Sequence, residues 1–475
     1  MSKVIHADIC VIGGGSGGLS VAAGAAQMGA KTVLIEKGKM GGDCLNYGCV
    51  PSKALIAAAH AADTARNSGR FGVNGHEPEI DFPAVNDHVH GVIGAIEPHD
   101  SVERFEGLGV EVIQGAGRFI SRREVEVNDT RIRARRFVIS TGSSAARPPI
   151  PGLDEVPYLT NETVFDLRES PEHLIVIGGG PIGAELAQAH RRLGIKVTLI
   201  EMFTILGKDD PEVTEIVRRR IAEDGVEMVE GVSIEQVAAQ GNGIAVTFTR
   251  DGKSETVGGS HLLVAAGRRA NVDGLGLDAA GIDYSPKGIT VDDRLRTSNK
   301  RVFAIGDVAG GYQFTHMAGY HAGIVIRNAL FALPAKVDYS AVPWVTYTDP
   351  EIAHVGMTED QARERYGDKV KIARWGFDHN DRAQAERATE GLVKVVVGPK
   401  GRVLGASMAG PHAGELIQPW ILAVSQKLKI GAMASMIVPY PTLGEVNKRA
   451  AGSYYTPSLF SDRTRKVVGL VQRLP

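Results

Sequence analysis

Residues 41–53 read Gly41-Gly42-Asp43-Cys44-Leu45-Asn46-Tyr47-Gly48-Cys49-Val50-Pro51-Ser52-Lys53, and a helix-forming run from Ala54 to Ala62 follows. Two thiols so placed can exchange electrons with a disulfide, hold a metal, or stand as two unpaired buried groups. A regular helix would hold residues five apart at about 8.6 Å between Cα atoms. A disulfide needs less than about 7 Å. If Cys44 and Cys49 bridge, the segment therefore departs from helix, and Gly48 is the residue that best tolerates the departure. A helix N-terminus following the pair would stabilise a thiolate and keep such a bridge reducible. The chain has only 3 cysteines in 475 residues, so no disulfide scaffold holds it together. No further Cys or His cluster accompanies the pair, and a zinc site is not expected.

The elements that must position this segment come as a repeat. The apolar run 7–12 ends in Gly13-Gly14-Gly15-Ser16-Gly17-Gly18, a helix-like stretch runs to Met28, and a strand over 32–35 ends at Glu36. The unit returns 165 residues later: 174–177, then Gly178-Gly179-Gly180-Pro181-Ile182-Gly183, a helix to Leu193, a strand over 197–200, and Glu201. Both copies place the acid 23 residues after the first glycine. Strand, G-x-G-x-x-G, helix, strand and acid together are a strong dinucleotide signature. Gly13, Gly15 and Gly18, and again Gly178, Gly180 and Gly183, let backbone N–H groups approach a pyrophosphate. Glu36 and Glu201 would take ribose hydroxyls. Cys10 lies opposite Ile175 in this alignment and reads as a core residue. Two such folds imply two dinucleotides. Glu201 would repel a 2′-phosphate, and 202–206 offers no arginine to pair with one, so NAD(H) is expected over NADP(H).

The length implies two to four domains. The net charge of -2 gives no reason to expect nucleic acid or an acidic membrane as partner. The 58 glycines cluster at turns after apolar runs, which indicates α/β phosphate loops rather than low complexity. No apolar run approaches membrane-spanning length and no leader-like segment opens the chain, so a cytoplasmic protein without an integral span is expected.

The segment Gly-Gly-x-Cys-x-x-x-x-Gly-Cys-x-Pro-Ser-Lys resembles the redox signature of the class I pyridine nucleotide–disulfide oxidoreductases, the group of lipoamide dehydrogenase, glutathione reductase and mercuric reductase. The resemblance implies an α/β fold with two doubly wound dinucleotide-binding domains and an α+β dimerisation domain. Its domains would be 1–150 for FAD, 151–270 for NAD, 271–340 completing the flavin and central part, and 341–475 as interface. It implies a redox-active Cys44–Cys49 disulfide, with Cys49 facing the flavin and Cys44 exchanging with a small-molecule or protein disulfide. Lys53 would sit near the flavin and pair with Glu185; the first repeat has Ser20 at the equivalent place, so the fold itself demands no acid there. Gly42, the turn Thr141-Gly142, Gly267, Asp307 at the end of 302–307, and Ala318 in Thr315-His316-Met317-Ala318 fall on the family's cofactor-binding positions. The helix starting there would face the flavin's pyrimidine edge. Residues 342–356 and 410–415 resemble the interface domain and imply a homodimer.

One departure stands out. The family's closing motif, His-x-His-Pro-Thr-x-x-Glu, supplies an imidazole base; this chain reads Val438-Pro439-Tyr440-Pro441-Thr442-Leu443-Gly444-Glu445. A phenol with a pKa near about 10 is a poor base at neutral pH but a good donor or shield. Glu445 lacks the imidazole it would orient. The Pro-Tyr pair is similar to mercuric reductases, yet the vicinal cysteines that end those chains are missing. A metal-ion or quinone reductase is therefore the alternative to a lipoamide-dehydrogenase-like enzyme, and a noncatalytic redox-sensing flavoprotein is a third. The tail after Ser453 is basic and apolar at helical spacing, suited to docking on the dimer surface or, alternatively, to a membrane surface.

Overall fold

The computed structural model describes residues 3–474. They fall into two compact units: the chain up to Met202 with Met228–Val337, and Phe203–Glu227 with the chain from Asp338 onward.

In the first unit, strand Lys3–Ile12 lies between Thr32–Glu36 and Thr130–Ile139, parallel to both; Val110–Gln114 extends one side and Val302–Ala304 pairs with the other, also in parallel. Apolar residues are buried on both faces, Ile9, Val11, Leu34 and Val138 on one and Ile12, Val33, Ile35 and Phe137 on the other, as an all-parallel stretch requires. Cys10 is fully buried in this core, as its alignment with Ile175 predicts. Helix Ser16–Gln27 covers one face beside Thr315–Ala329. The second copy repeats the plan with His173–Ile177 between Lys196–Glu201 and His261–Val264, all parallel, and helix Pro181–Arg192. The α/β class with repeated doubly wound sheets expected from the sequence is thus observed.

The second unit carries a five-stranded antiparallel sheet in the order 343–346, 351–356, 403–410, 392–397, 371–376. Helices pack Trp420, Ala423, Val446 and Ala450 onto it. Asp210 caps helix Pro211–Glu223 by accepting the Glu212 N–H at 3.0 Å, with proline at the first helical position, a local pairing of capping acid and proline. The helix clusters with this sheet, although its stretch of chain was expected in the nicotinamide domain. The reason is ionic. Lys394, on strand Leu392–Val397 and 4% exposed, meets Asp210 at 2.8 Å, Glu212 at 2.6 Å and Glu359 at 2.8 Å. Removing that cation would leave the buried Asp210 carboxylate without its ammonium, while Glu212 keeps Arg374 and Glu359 keeps Arg363, so Lys394→Met should cost about 3 kcal/mol in chemical denaturation. Hydrogen bonding from Arg374, then Lys394, holds the Glu212 carboxyl down at about 2. That stabilisation is complete above the unfolded carboxyl value of about 4.3 and fades as pH falls through the folded one.

Among the described residues, no helix is long and apolar enough to cross a membrane. Helix Asp462–Val471, capped by the Ser461 hydroxyl, buries no residue against its own chain.

Candidate active site

The two glycine loops have nearly the same geometry. Gly13 and Gly178 stand at φ of +108° and +109°. A Cβ there would lie 2.4 Å from the Ser140 carbonyl oxygen and 2.5 Å from that of Ala265, so the sharp turn admits glycine alone. At the third glycines, a Cβ on Gly18 would fall 1.9 Å from the Gly13 oxygen, and on Gly183 1.8 Å from that of Gly178. These positions serve helix–strand packing. The middle glycines differ: Gly180 has nothing within 4 Å of such a Cβ, and Gly15 only the Gly42 Cα at 3.8 Å. That open side, at the start of each helix, is where backbone must come close to a pyrophosphate. The residues thus fit a dinucleotide in each copy. Glu36 accepts the Gly14 and Gly38 N–H groups, and Glu201 that of Gly179 at 2.7 Å, placing both carboxylates at the strand ends where ribose would lie.

The first cradle is completed from afar. Asp307 follows strand Val302–Ala304, which pairs with the strand leading to Thr141. The Ser143 hydroxyl donates to the Asp307 carboxylate at 2.6 Å, while burial pushes that carboxyl up. Thr141 and Asn271 exchange hydrogen bonds of 2.8 and 3.0 Å, and Gly142 turns between them at φ +67°. Ala318 packs toward Gly17 and Gly306, so the helix beginning at Thr315 points its N-terminus into the same region. Gly267 stands at φ +109° after the last parallel strand of the second copy.

The dithiol segment is two helices broken at Gly48 rather than one. Helix Gly42–Asn46 ends at Tyr47, and Cys49 opens helix Cys49–Asn67 with Gly48 as its N-cap. In place of the expected disulfide, Cys44 and Cys49 stand as thiols that share a hydrogen bond, which is the reduced form of the pair. That bond, with burial, pushes the Cys44 thiol up. The same bond, helped by the Thr315 hydroxyl and the charge of Lys53, lowers Cys49 to about 6 against the opposing effect of burial. Thr315 Oγ1 lies 3.4 Å from Cys49 Sγ. Alkylation of the reduced protein by iodoacetamide should therefore rise with pH to a plateau at Cys49, half-complete near about pH 6 rather than the ordinary thiol value of about 8.5. A midpoint above about 8 by peptide mass spectrometry would contradict this reading.

One turn along that helix, Lys53 Nζ meets Glu185 Oε2 at 2.8 Å. Glu185 lies on the second dinucleotide helix with its side chain 7% exposed. The acid that the fold does not demand thus has a partner.

Sequence reasoning missed Asp43, Ser143, Asn161 and Arg268 as members of this site. Arg268 directly follows Gly267, the one residue of the stretch 264–269 that the resemblance singles out. Its guanidinium donates to Ser143 Oγ and the Ser143 carbonyl at 2.7 and 2.8 Å and lies 3.2 Å from Asp43.

In the second unit, the Tyr440 hydroxyl donates to Asp381 Oδ2 at 2.8 Å, and this bond holds the phenol above its ordinary range. Glu445 opens helix Glu445–Ser453 and faces Arg449 at 3.6 Å. The tyrosine in the base position is thus paired with Asp381 rather than with the motif's own acid. Tyr440 is 68% and Ile437 98% exposed in the single chain.

Residues 7–322 match the pyridine nucleotide-disulphide oxidoreductase family and residues 342–451 its dimerisation domain. The chain is 38% identical to a mercuric reductase of Bacillus cereus over 446 residues, 93% of this chain and 70% of that one. It is 36% identical to a dihydrolipoyl dehydrogenase of Geobacillus stearothermophilus over 457 residues, 94% and 96% of the two chains. The Cu(II) complex of the HOCl-induced flavoprotein disulfide reductase RclA from Escherichia coli superposes with a TM-score of 0.85 at 26% identity, over 95% of this chain and 99% of that one. The chain belongs to the pyridine nucleotide–disulphide oxidoreductase family. It is a flavoprotein disulfide reductase of the lipoamide dehydrogenase and mercuric reductase type, whose members use FAD and NAD(P)H.

Proposed function

We propose that this protein passes electrons from NADH to a small or protein disulfide through Cys44 and Cys49, as a cytoplasmic homodimer. The observation that carries the reading is the asymmetric thiol pair: Cys49 is favoured as thiolate by Cys44, Thr315 and Lys53, while Cys44 keeps its proton. FAD, when bound, relays two electrons between the nicotinamide and the sulfurs. Cys44 passes its proton to the Cys49 thiolate across their shared hydrogen bond and attacks the substrate disulfide as the thiolate; the departing thiolate takes that proton from Cys49. Cys49, again a thiolate, then attacks Cys44, releasing the second thiolate and leaving the Cys44–Cys49 disulfide for NADH to reduce. Tyr440, held protonated by Asp381, serves as a donor or shield rather than a base. Substrates with good leaving thiols, which need little base assistance, suit such a site.

Glu201 supports NADH as the donor. kcat/KM for NADH should exceed that for NADPH by at least about tenfold, the effect of placing a 2′-phosphate against a carboxylate without a cation. Equal values, or a preference for NADPH, would overturn the assignment.

A second reading has its own support: mercuric reductases are among the relatives at 36–38% identity, and the superposed RclA structure is a Cu(II) complex. On this reading the dithiol reduces a metal ion or quinone. Assays under anaerobic NADH with lipoamide, Hg(II) and a quinone in parallel separate the two. Turnover of lipoamide alone selects the disulfide; turnover of Hg(II) or quinone without lipoamide selects the other.

A further inference from the structure

Asp43, the residue before Cys44, has both carboxylate oxygens engaged. Oδ2 lies 3.2 Å from the Arg268 guanidinium and Oδ1 accepts from the Asn161 amide at 3.1 Å. That amide also donates to the Tyr47 carbonyl at 3.1 Å, so one buried asparagine holds both ends of the short helix bearing Cys44. Arg268 sits on strand Arg268–Ala270, antiparallel to Ser143–Ala145, with its side chain 13% exposed. Its Nε donates to Ser143 Oγ, which donates to Asp307; the guanidinium is 3.9 Å from that carboxylate itself. One cation therefore faces two carboxylates from segments 264 residues apart in the chain. One belongs to the dithiol segment and the other to the cradle that fits the flavin. Asp43 bears on Asp307 as a like charge, and Arg268 is the cation that separates them.

We propose that Asp43 and Arg268 form a charge-balancing strut that joins the dithiol segment to the flavin cradle, with Arg268 as a positioning residue for both carboxylates. This rests on the flavin disulfide reductase reading for its purpose. Its test uses flavin retention and backbone opening, neither of which needs turnover. Failure of that reading would instead appear as bound flavin without a thiol cycle.

Without Arg268, two partly desolvated carboxylates confront each other beside the site for an anionic cofactor. Loss of one charge-assisted pair is worth about tenfold or more in binding. Arg268→Gln should raise the FAD dissociation constant by at least about tenfold, measured by flavin fluorescence on dilution of the purified holoenzyme. Adding Asp43→Asn removes the confronting charge, so the double variant should recover most of that loss. A purely structural arginine would give no such recovery. Retention unchanged in Arg268→Gln, or a further loss in the double variant, would overturn the proposal.

Asp43→Asn alone guards against a single Arg268 variant that does not fold. Amide hydrogen exchange across 41–49 in the holoenzyme should quicken about fivefold as the tether to Arg268 is lost, while exchange in the antiparallel sheet of the second unit stays as in the parent. Unchanged exchange across 41–49 would equally overturn the strut.

Discussion

Cys44→Ser and Cys49→Ser should each lower NADH-linked disulfide turnover by at least about a thousandfold, since neither half of the exchange can proceed with one sulfur. The two losses should nevertheless differ in kind. Cys49→Ser leaves a thiol whose proton is held by burial, so Cys44 should also alkylate slowly at neutral pH. Cys44→Ser leaves Cys49 beside Lys53 and Thr315, still activated by the ammonium and hydroxyl but without its strongest hydrogen bond. Its alkylation midpoint should rise from about 6 yet remain below the ordinary thiol value. Equal alkylation profiles for the two remaining thiols would remove the asymmetry on which the functional assignment stands.

Lys53→Ala should slow flavin reduction by NADH by about one to two orders of magnitude, because it deletes a cation whose charge acts on Cys49. It should also destabilise the fold, because it leaves the Glu185 carboxylate buried without its ammonium. Discounted for the part-exposed lysine, that cost is about 2 kcal/mol. Lys53→Ala with Glu185→Gln separates the effects: stability should return while the rate does not. An unchanged reduction rate in Lys53→Ala would strip the lysine of its role, and stability lost equally in both variants would place the defect in packing.

What the sequence discloses and what it hides follow from the range of the forces involved. The glycine loops are legible because every constraint on them is local: the Gly13 turn, the Gly18 crossing and the acid at the next strand end recur at fixed spacing. The cap at Asp210 and Pro211 is legible for the same reason. The position of helix Pro211–Glu223 is not, because it depends on Lys394, an isolated cation in an otherwise apolar strand far along the chain. The motif around Cys44 and Cys49 indicates the chemistry. It does not indicate Thr315, 266 residues away, which lies against Cys49 and assists its ionisation. Lys53 and Glu185 could be paired only through the resemblance, and the ion pair between them is present. Tyr440 is conspicuous as a missing histidine, whereas its partner Asp381 carries no signal: an acid at the start of a short helix is usual there whatever it touches. Arg268 and Asp43 are ordinary surface types in sequence and become informative only once the strands at Ser143 and Arg268 are seen to pair.

The most direct measurement is anaerobic titration of the air-purified flavoprotein with NADH, followed by quantification of free thiols at Cys44 and Cys49 by differential alkylation and mass spectrometry. Both cysteines should be blocked as a mutual disulfide beforehand and both should become alkylatable on addition of NADH. Flavin that bleaches with NADH while the thiol count at these two positions stays the same would contradict the account.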